Sequence, residues 1–268
     1  MKPRSFTLFH GFLGLPGAMT PLARALRSEF GVPVRSALLP GHGLCPWGLE
    51  LTSFDEVVRA LRSRVFTRDA DGDVVIGYSL GGRLALGLVA LMPGLSCVIA
   101  VGAHAGFSSA ETDERRRRAE ADDERAKHVL EKGMLAFAEA WAREPIFSTQ
   151  RDLPLHVQLG QAHTRESHTE RGIAWTLTTL GTGRMPDLRG RLAESGTRVE
   201  LIAGALDTKF VEHHRSLDRQ RLPQVQCSTI AGCGHNPVLE NPGGVLAAVR
   251  AALTSEHFLN HSLSINGA

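Results

Sequence analysis

A serine set between glycines, in Gly77-Tyr78-Ser79-Leu80-Gly81-Gly82, constrains this chain more than any other feature. The apolar run 73–76 before it has the length and β-branched content of a buried strand, and 80–91 after it has the 3.6-residue period of an apolar helix. A chain that reverses from strand to helix in so few residues needs backbone without Cβ at the bend, and Gly77 and Gly81 supply it. The predicted result is a sharp elbow that lifts the Ser79 hydroxyl above the sheet, at the positive end of a helix.

The rest of the chain agrees with a sheet of this kind. Apolar runs at 5–9, 32–37, 73–76, 96–101, 198–202 and 225–229 read as strands. Helical patterns at 18–29, 54–65, 80–91, 209–220 and 243–253 separate most of them. This alternation predicts an α/β fold with a mainly parallel central sheet flanked by helices on both faces. Between residues 101 and 198 the rhythm stops, with helical pieces expected at 113–131, 134–143, 156–164 and 171–180 and an irregular stretch at 144–155. The expected organisation is a core of residues 1–103 and 186–255, a helical cap inserted at 104–185, and a loose tail at 256–268.

A serine hydroxyl reacts only when a histidine takes its proton and an acid orients that histidine. Where the serine sits on an elbow of this type, the chain order is serine, acid, histidine. Asp207 follows the strand at 198–202 in Gly204-Ala205-Leu206-Asp207, and His235 follows the strand at 225–229 in Gly232-Cys233-Gly234-His235-Asn236-Pro237. Both therefore arrive at the sheet edge where ligands collect in open α/β folds. Their plainer readings are a helix N-cap for Asp207 and an ordinary loop histidine for His235. The loop His10-Gly11-Phe12-Leu13-Gly14 follows the first strand and completes the set. The N–H groups of Phe12 and Leu80 are the expected oxyanion donors. His10 is expected to brace that loop without moving a proton, and His42 to stabilise a tight turn. His104 is placed just past a strand, near the pocket. The pattern is that of an α/β-hydrolase fold.

Within that fold, a further set of segments resembles one family. These are Leu39-Pro40-Gly41-His42-Gly43, Arg83 after the elbow, Gly102-Ala103-His104-Ala105-Gly106-Phe107, Trp141-Ala142-Arg143-Glu144-Pro145-Ile146-Phe147, Leu180-Gly181-Thr182-Gly183-Arg184-Met185-Pro186-Asp187-Leu188, Gly204–Phe210 and residues 232–242. Together they are similar to the 2-succinyl-6-hydroxy-2,4-cyclohexadiene-1-carboxylate synthases, lyases of menaquinone biosynthesis. The resemblance implies proton abstraction from a succinyl-bearing cyclohexene carboxylate and elimination of pyruvate, with Ser79 as base. It also implies substrate contacts from Tyr78, Arg83, Arg118, Trp141 and Arg165. Arginine suits this task because its planar fork matches a carboxylate. The other arginines of 115–118 lie among acids and read as a solvated helix face.

The chain departs from the family at Ala142, where an aromatic is common, at Leu80, where methionine is usual, and in Gly14-Leu15-Pro16-Gly17, which lacks the customary tryptophan. Ala142 is expected to enlarge or open the pocket. The competing reading is a carboxylesterase or thioesterase working through an acyl-Ser79 intermediate.

A net charge of +2 carries no electrostatic footprint for nucleic acid, and no apolar run approaches a bilayer span. The expected partner is a small anionic polycarboxylate. No motif specifies an oligomeric state. The four cysteines form no C-x-x-C pair and are expected to be reduced thiols; Cys227, Cys233 and His235 have no fourth ligand at a familiar spacing, so no metal site is expected, and no motif implies a cofactor. The start of the chain has no secretory pattern, and a cytoplasmic location is expected.

Overall fold

A computed structural model describes residues 2–66, 70–218, 222 and 224–254. Six parallel strands, β1 (Ser5–Phe9), β2 (Val34–Ala37), β3 (Asp73–Tyr78), β4 (Cys97–Val101), β5 (Arg198–Gly204) and β6 (Val225–Ile230), form one sheet in the order β2-β1-β3-β4-β5-β6. The strand order reverses after β2, so β1 and β3 lie side by side and the loops leaving both open onto one crevice.

Side chains alternate between the two faces of the sheet, as a period of two requires. Phe6, Leu8, Val74, Ile76, Ile99 and Val101 pack with α1 (Thr20–Phe30) on one face. Phe9, Val75, Val98 and Ala100 pack with α2 (Phe54–Val65) and α3 (Leu80–Leu88) on the other. The inner strands β1, β3, β4 and β5 are buried on both faces, while the edge strands β2 and β6 are only partly buried.

Boundary differences have local causes. Helix α3 ends at Leu88 rather than 91, because Met92 precedes Pro93 and the residues between relax into 3-10 geometry, with Leu91 N–H donating to Leu88 O at 2.9 Å. Strand β2 begins at Val34 rather than 32, directly after a proline that cannot donate to the ladder.

Between β4 and β5 the described residues contain helices and no strand. Helix α4 (Thr112–Ala142) is two helices joined at Gly133, whose φ of 83° and ψ of 169° break the hydrogen-bond ladder where the sequence pattern also breaks. Glu170 Oε1 accepts the Met134 N–H that the break frees, at 3.3 Å. Next come a 3-10 stretch (Pro145–Asp152) in the interval expected to be irregular, then α5 (Leu155–Glu166) and α6 (Glu170–Leu180). Val129, Phe137, Ile173 and Leu177 form the insertion's own apolar cluster, joined by Leu13 of the core.

Two short helices, α7 (Arg189–Glu194) and α9 (Pro237–Glu240), were not expected from the pattern; α8 (Thr208–Asp218) and α10 (Pro242–Thr254) complete the core. The expected tail at 256–268 and the end of the helix expected at 209–220 lie outside the described residues. No helix among the described residues is long and apolar enough to cross a membrane.

Candidate active site

The elbow is built by close approach. A Cβ on Gly77 would lie 2.2 Å from Gly81 O, and one on Gly81 would lie 2.5 Å from both Phe9 O and His10 O, so neither position admits a side chain. Ser79 is held at φ 50° and ψ −110°, a conformation that costs an L-residue on the order of 1–3 kcal/mol. Among the described residues only Ser79 and Leu13 are non-glycines with positive φ, and both border the same cavity. Backbone strain is thus concentrated at the elbow and at the loop expected to hold the oxyanion.

His235 joins the serine to the acid. Its Nδ1 lies 2.6 Å from Asp207 Oδ2, and its Nε2 lies 3.3 Å from Ser79 Oγ. A carboxylate only accepts, so Nδ1 carries the proton and Nε2 turns a lone pair toward the hydroxyl. Asp207 makes both contacts at once: Oδ2 takes the imidazole while Oδ1 accepts the Phe210 N–H at 3.4 Å, as an N-cap of α8 would. Tyr78, Phe147 and Phe210 surround the imidazole with ring centroids at 5.5, 6.1 and 4.7 Å.

The histidine loop is braced by a residue absent from the sequence reading. Glu240 accepts the Gly234 N–H at 2.7 Å and the Asn236 N–H at 3.2 Å, while Asn236 Oδ1 accepts the Leu239 N–H at 3.2 Å. This is a capping box with its carboxylate one residue further along than usual, and the Asn-Pro-x-x-Glu spacing was its visible signal.

The loop at 10–14 is fixed from behind. His10 Nδ1–H donates to Gly11 O at 2.9 Å and its Nε2 accepts the Leu39 N–H at 3.1 Å, which satisfies the ring in its neutral form. Burial lowers its pKa to about 4. His42 Nδ1–H donates to Pro40 O at 2.8 Å; the ring is fully buried behind Phe12 and does not border the cavity. His168 joins this group by accepting the Gly43 N–H at 2.8 Å. Phe12 borders the cavity, and Leu80 opens α3 with its side chain buried. The Leu80 N–H precedes the first bond of that helix, Arg83 N–H to Ser79 O.

The cavity above Ser79 measures about 770 Å³. Tyr78, Arg83, Arg118, Trp141 and Arg165 all border it, as does His104. Arg83 is buried and donates to Leu180 O, the last carbonyl of α6, so it ties the elbow helix to the insertion. Burial first, and then the nearby Arg118, lower its pKa to about 9. Arg118 donates to the buried Asp122 at 2.9 Å; Arg116, two residues earlier, forms an exposed pair with Glu120 at 3.1 Å. Arg165 lies over the Phe147 ring at 5.3 Å and donates to Gln150 Oε1 at 2.9 Å. Trp141 meets Phe12 edge-on at 5.0 Å and extends the aromatic wall to Phe147 at 5.8 Å. Ala142 itself does not border the cavity.

Among the described residues no group of three or more histidine, cysteine or acidic side chains is placed to hold a metal ion. The arrangement supplies a polarised hydroxyl, candidate N–H donors for a developing oxyanion and several guanidinium groups within one cavity.

The family model described as the alpha/beta hydrolase family matches residues 8–249. The 2-succinyl-6-hydroxy-2,4-cyclohexadiene-1-carboxylate synthase of Escherichia fergusonii is 30% identical over 216 residues, covering 80% of this chain and 81% of that protein. Among solved structures, MenH from S. aureus superposes with a TM-score of 0.84 at 26% identity, covering 94% of each chain. A carboxylesterase structure from Nitrososphaera gargenis, at 18% identity and a TM-score of 0.74, covers 94% of this chain and 92% of its own and shares the fold.

Proposed function

The chain belongs to the alpha/beta hydrolase family, in the branch of the 2-succinyl-6-hydroxy-2,4-cyclohexadiene-1-carboxylate synthases, and on that premise we propose that it is the pyruvate-eliminating lyase of menaquinone biosynthesis. The substrate is then 2-succinyl-5-enolpyruvyl-6-hydroxy-3-cyclohexene-1-carboxylate. The observation that carries this reading is the cavity itself, which Arg83, Arg118 and Arg165 border together with Ser79, His235 and Asp207. A neutral ester offers a guanidinium only an uncharged carbonyl acceptor, whereas a polycarboxylate offers charged partners that match its planar fork.

In this mechanism Ser79 Oγ, its own proton drawn toward His235 Nε2, abstracts the proton from the ring carbon bearing the succinyl group. The electrons of that C–H bond form a new ring double bond, the existing one shifts along, and the C–O bond to the enolpyruvyl group breaks. The released enolate takes up a proton and leaves as pyruvate. Charge that builds on the succinyl carbonyl oxygen is met by the Phe12 and Leu80 N–H groups. Asp207 holds the imidazole tautomer and stabilises the imidazolium. Residues 104–185, taken as the cap, contribute Arg118, Trp141 and Arg165 as substrate contacts, while the core contributes Tyr78 and Arg83. No cofactor enters the scheme.

The same triad supports ester hydrolysis through an acyl-Ser79, and intact-mass measurement on enzyme quenched during turnover separates the two. Base catalysis predicts an unmodified mass while the cyclohexene substrate is consumed; an adduct on the Ser79 peptide overturns it.

Arg83→Ala should raise KM for the polycarboxylate by about tenfold or more, the size of a lost charge-assisted hydrogen bond, and change p-nitrophenyl acetate turnover less than about twofold. Equal loss of both activities would mean that the bond to Leu180 O is Arg83's whole contribution.

A further inference from the structure

The cavity walls carry an excess of positive charge that the protein does not balance. Six cationic side chains border the cavity, Arg83, Arg117, Arg118, Arg125, Arg165 and Lys209, against four carboxylates, Glu114, Asp122, Glu144 and Asp207. The carboxylates are already engaged. Asp122 accepts from both Arg118 at 2.9 Å and Arg125 at 3.4 Å, Glu144 accepts from Arg125 at 3.1 Å, Glu114 accepts from Arg117 at 2.9 Å, and Asp207 is bound to His235.

Three of the six cations, Arg83, Arg165 and Lys209, face no carboxylate partner; Arg83 donates to Leu180 O and Arg165 to Gln150, which leaves Lys209. It has no ion pair or side-chain hydrogen bond among the described residues. Lys209 is exposed as well as bordering the cavity, and partial desolvation lowers its pKa first; Arg118 and Arg125 lower it further, and the pull of Asp207 only partly opposes them. Lys209 stands at the start of α8 in the core, and Arg118 and Arg125 stand on α4 of the insertion. Arg125 is held by two carboxylates and lies over the Trp141 ring at 5.7 Å. Arg118 makes one bond to Asp122 and keeps N–H groups for a ligand.

We propose that Lys209 and Arg118 form a two-sided clamp, one jaw on the core and one on the insertion, that takes a second carboxylate of the substrate. An anion between them replaces their mutual repulsion with two attractions, while Arg83 and Arg165 remain for a first carboxylate. The lysine suits a site reached across a junction, because its ammonium has three rotatable donors where arginine has a fixed fork. The proposal rests on the reading of the cavity as a polycarboxylate site and extends it to a residue that the arginine pattern does not include.

Calorimetric titration with isophthalate, a dianion, and benzoate, a monoanion with the same ring, tests the clamp without requiring turnover. The wild type should bind isophthalate about tenfold or more tightly than benzoate. Lys209→Met should remove most of that preference and leave benzoate affinity within about twofold, and Lys209→Arg should restore it. Arg118→Gln combined with Lys209→Met should weaken isophthalate by less than the product of the single effects, since both hold one group. The clamp is overturned if the wild type shows no preference for isophthalate, if Lys209→Met leaves the preference intact, or if it weakens both ligands equally. Failure of pyruvate release with these binding results intact would count against the lyase reading and not against the clamp.

Discussion

Ser79→Ala should lower kcat for pyruvate release by about 10³-fold or more, the upper part of the range expected for a positioned general base, with little change in substrate affinity. The side chain is only half buried, and alanine accepts the same strained backbone angles about as poorly as serine, so the variant should fold with nearly unchanged stability. Turnover of p-nitrophenyl acetate should fall with it, because either chemistry needs the same oxygen. His235→Ala should match it, and the double variant should be no worse than either single one, since residues that act as a unit are not additive. A double variant slower than Ser79→Ala by the full His235→Ala factor would mean that the 3.3 Å contact between Nε2 and Oγ is not the catalytic one.

Acidification from pH 7 to pH 5 should lower folding stability by several kcal/mol, a substantial part of the stability of an ordinary domain. The source is buried imidazole. Burial holds His10 at about 4, His104 at about 2 and His213 at about 3, and holds His42 well below its ordinary value. Like-charge neighbours add to this, His213 on His104 and His214 on His213. In the unfolded chain each of these rings takes up a proton near 6.5. Below that pH the unfolded state therefore binds more protons than the folded one, and stability falls as pH falls. A ring held at or below about 4 contributes on the order of 2 kcal/mol to that loss by pH 5, and His42 acts in the same direction. The contribution of His10 stops growing near pH 4, where the folded ring is protonated as well. Urea unfolding followed by circular dichroism at half-unit pH steps measures the effect. A midpoint unchanged between pH 7 and pH 5 would show that these rings are protonated in the folded protein.

These two expectations draw on different kinds of information. The Ser79 prediction was legible in the sequence, because Gly77, Gly81 and the flanking apolar runs allow one local geometry, and the loops carrying Asp207 and His235 follow strands that end at the same edge. The break at Gly133 was legible for the same reason, since it falls where the apolar period fails.

The acid prediction was not legible. The stacking of His104 on His213, with ring centroids 3.8 Å apart, joins residues of β4's loop and α8 that only the packed insertion and core bring together. The same holds for the enclosure of His235 by Phe147 and Phe210, and for the bond from Arg83 to Leu180. Local period and turn chemistry carry no record of contacts between distant segments. Lys209 falls between the two cases. Its place beside Asp207 is visible in Leu206-Asp207-Thr208-Lys209, but its lack of a partner appears only when every carboxylate of the cavity has been assigned.

The central claim is that Ser79 serves an elimination on a polycarboxylate. Purified protein supplied with 2-succinyl-5-enolpyruvyl-6-hydroxy-3-cyclohexene-1-carboxylate, beside a parallel reaction with p-nitrophenyl acetate, tests it most directly. Stoichiometric pyruvate release, lost in Ser79→Ala and far faster than ester cleavage, is the predicted result. Rapid ester turnover with no pyruvate above the uncatalysed rate would contradict it.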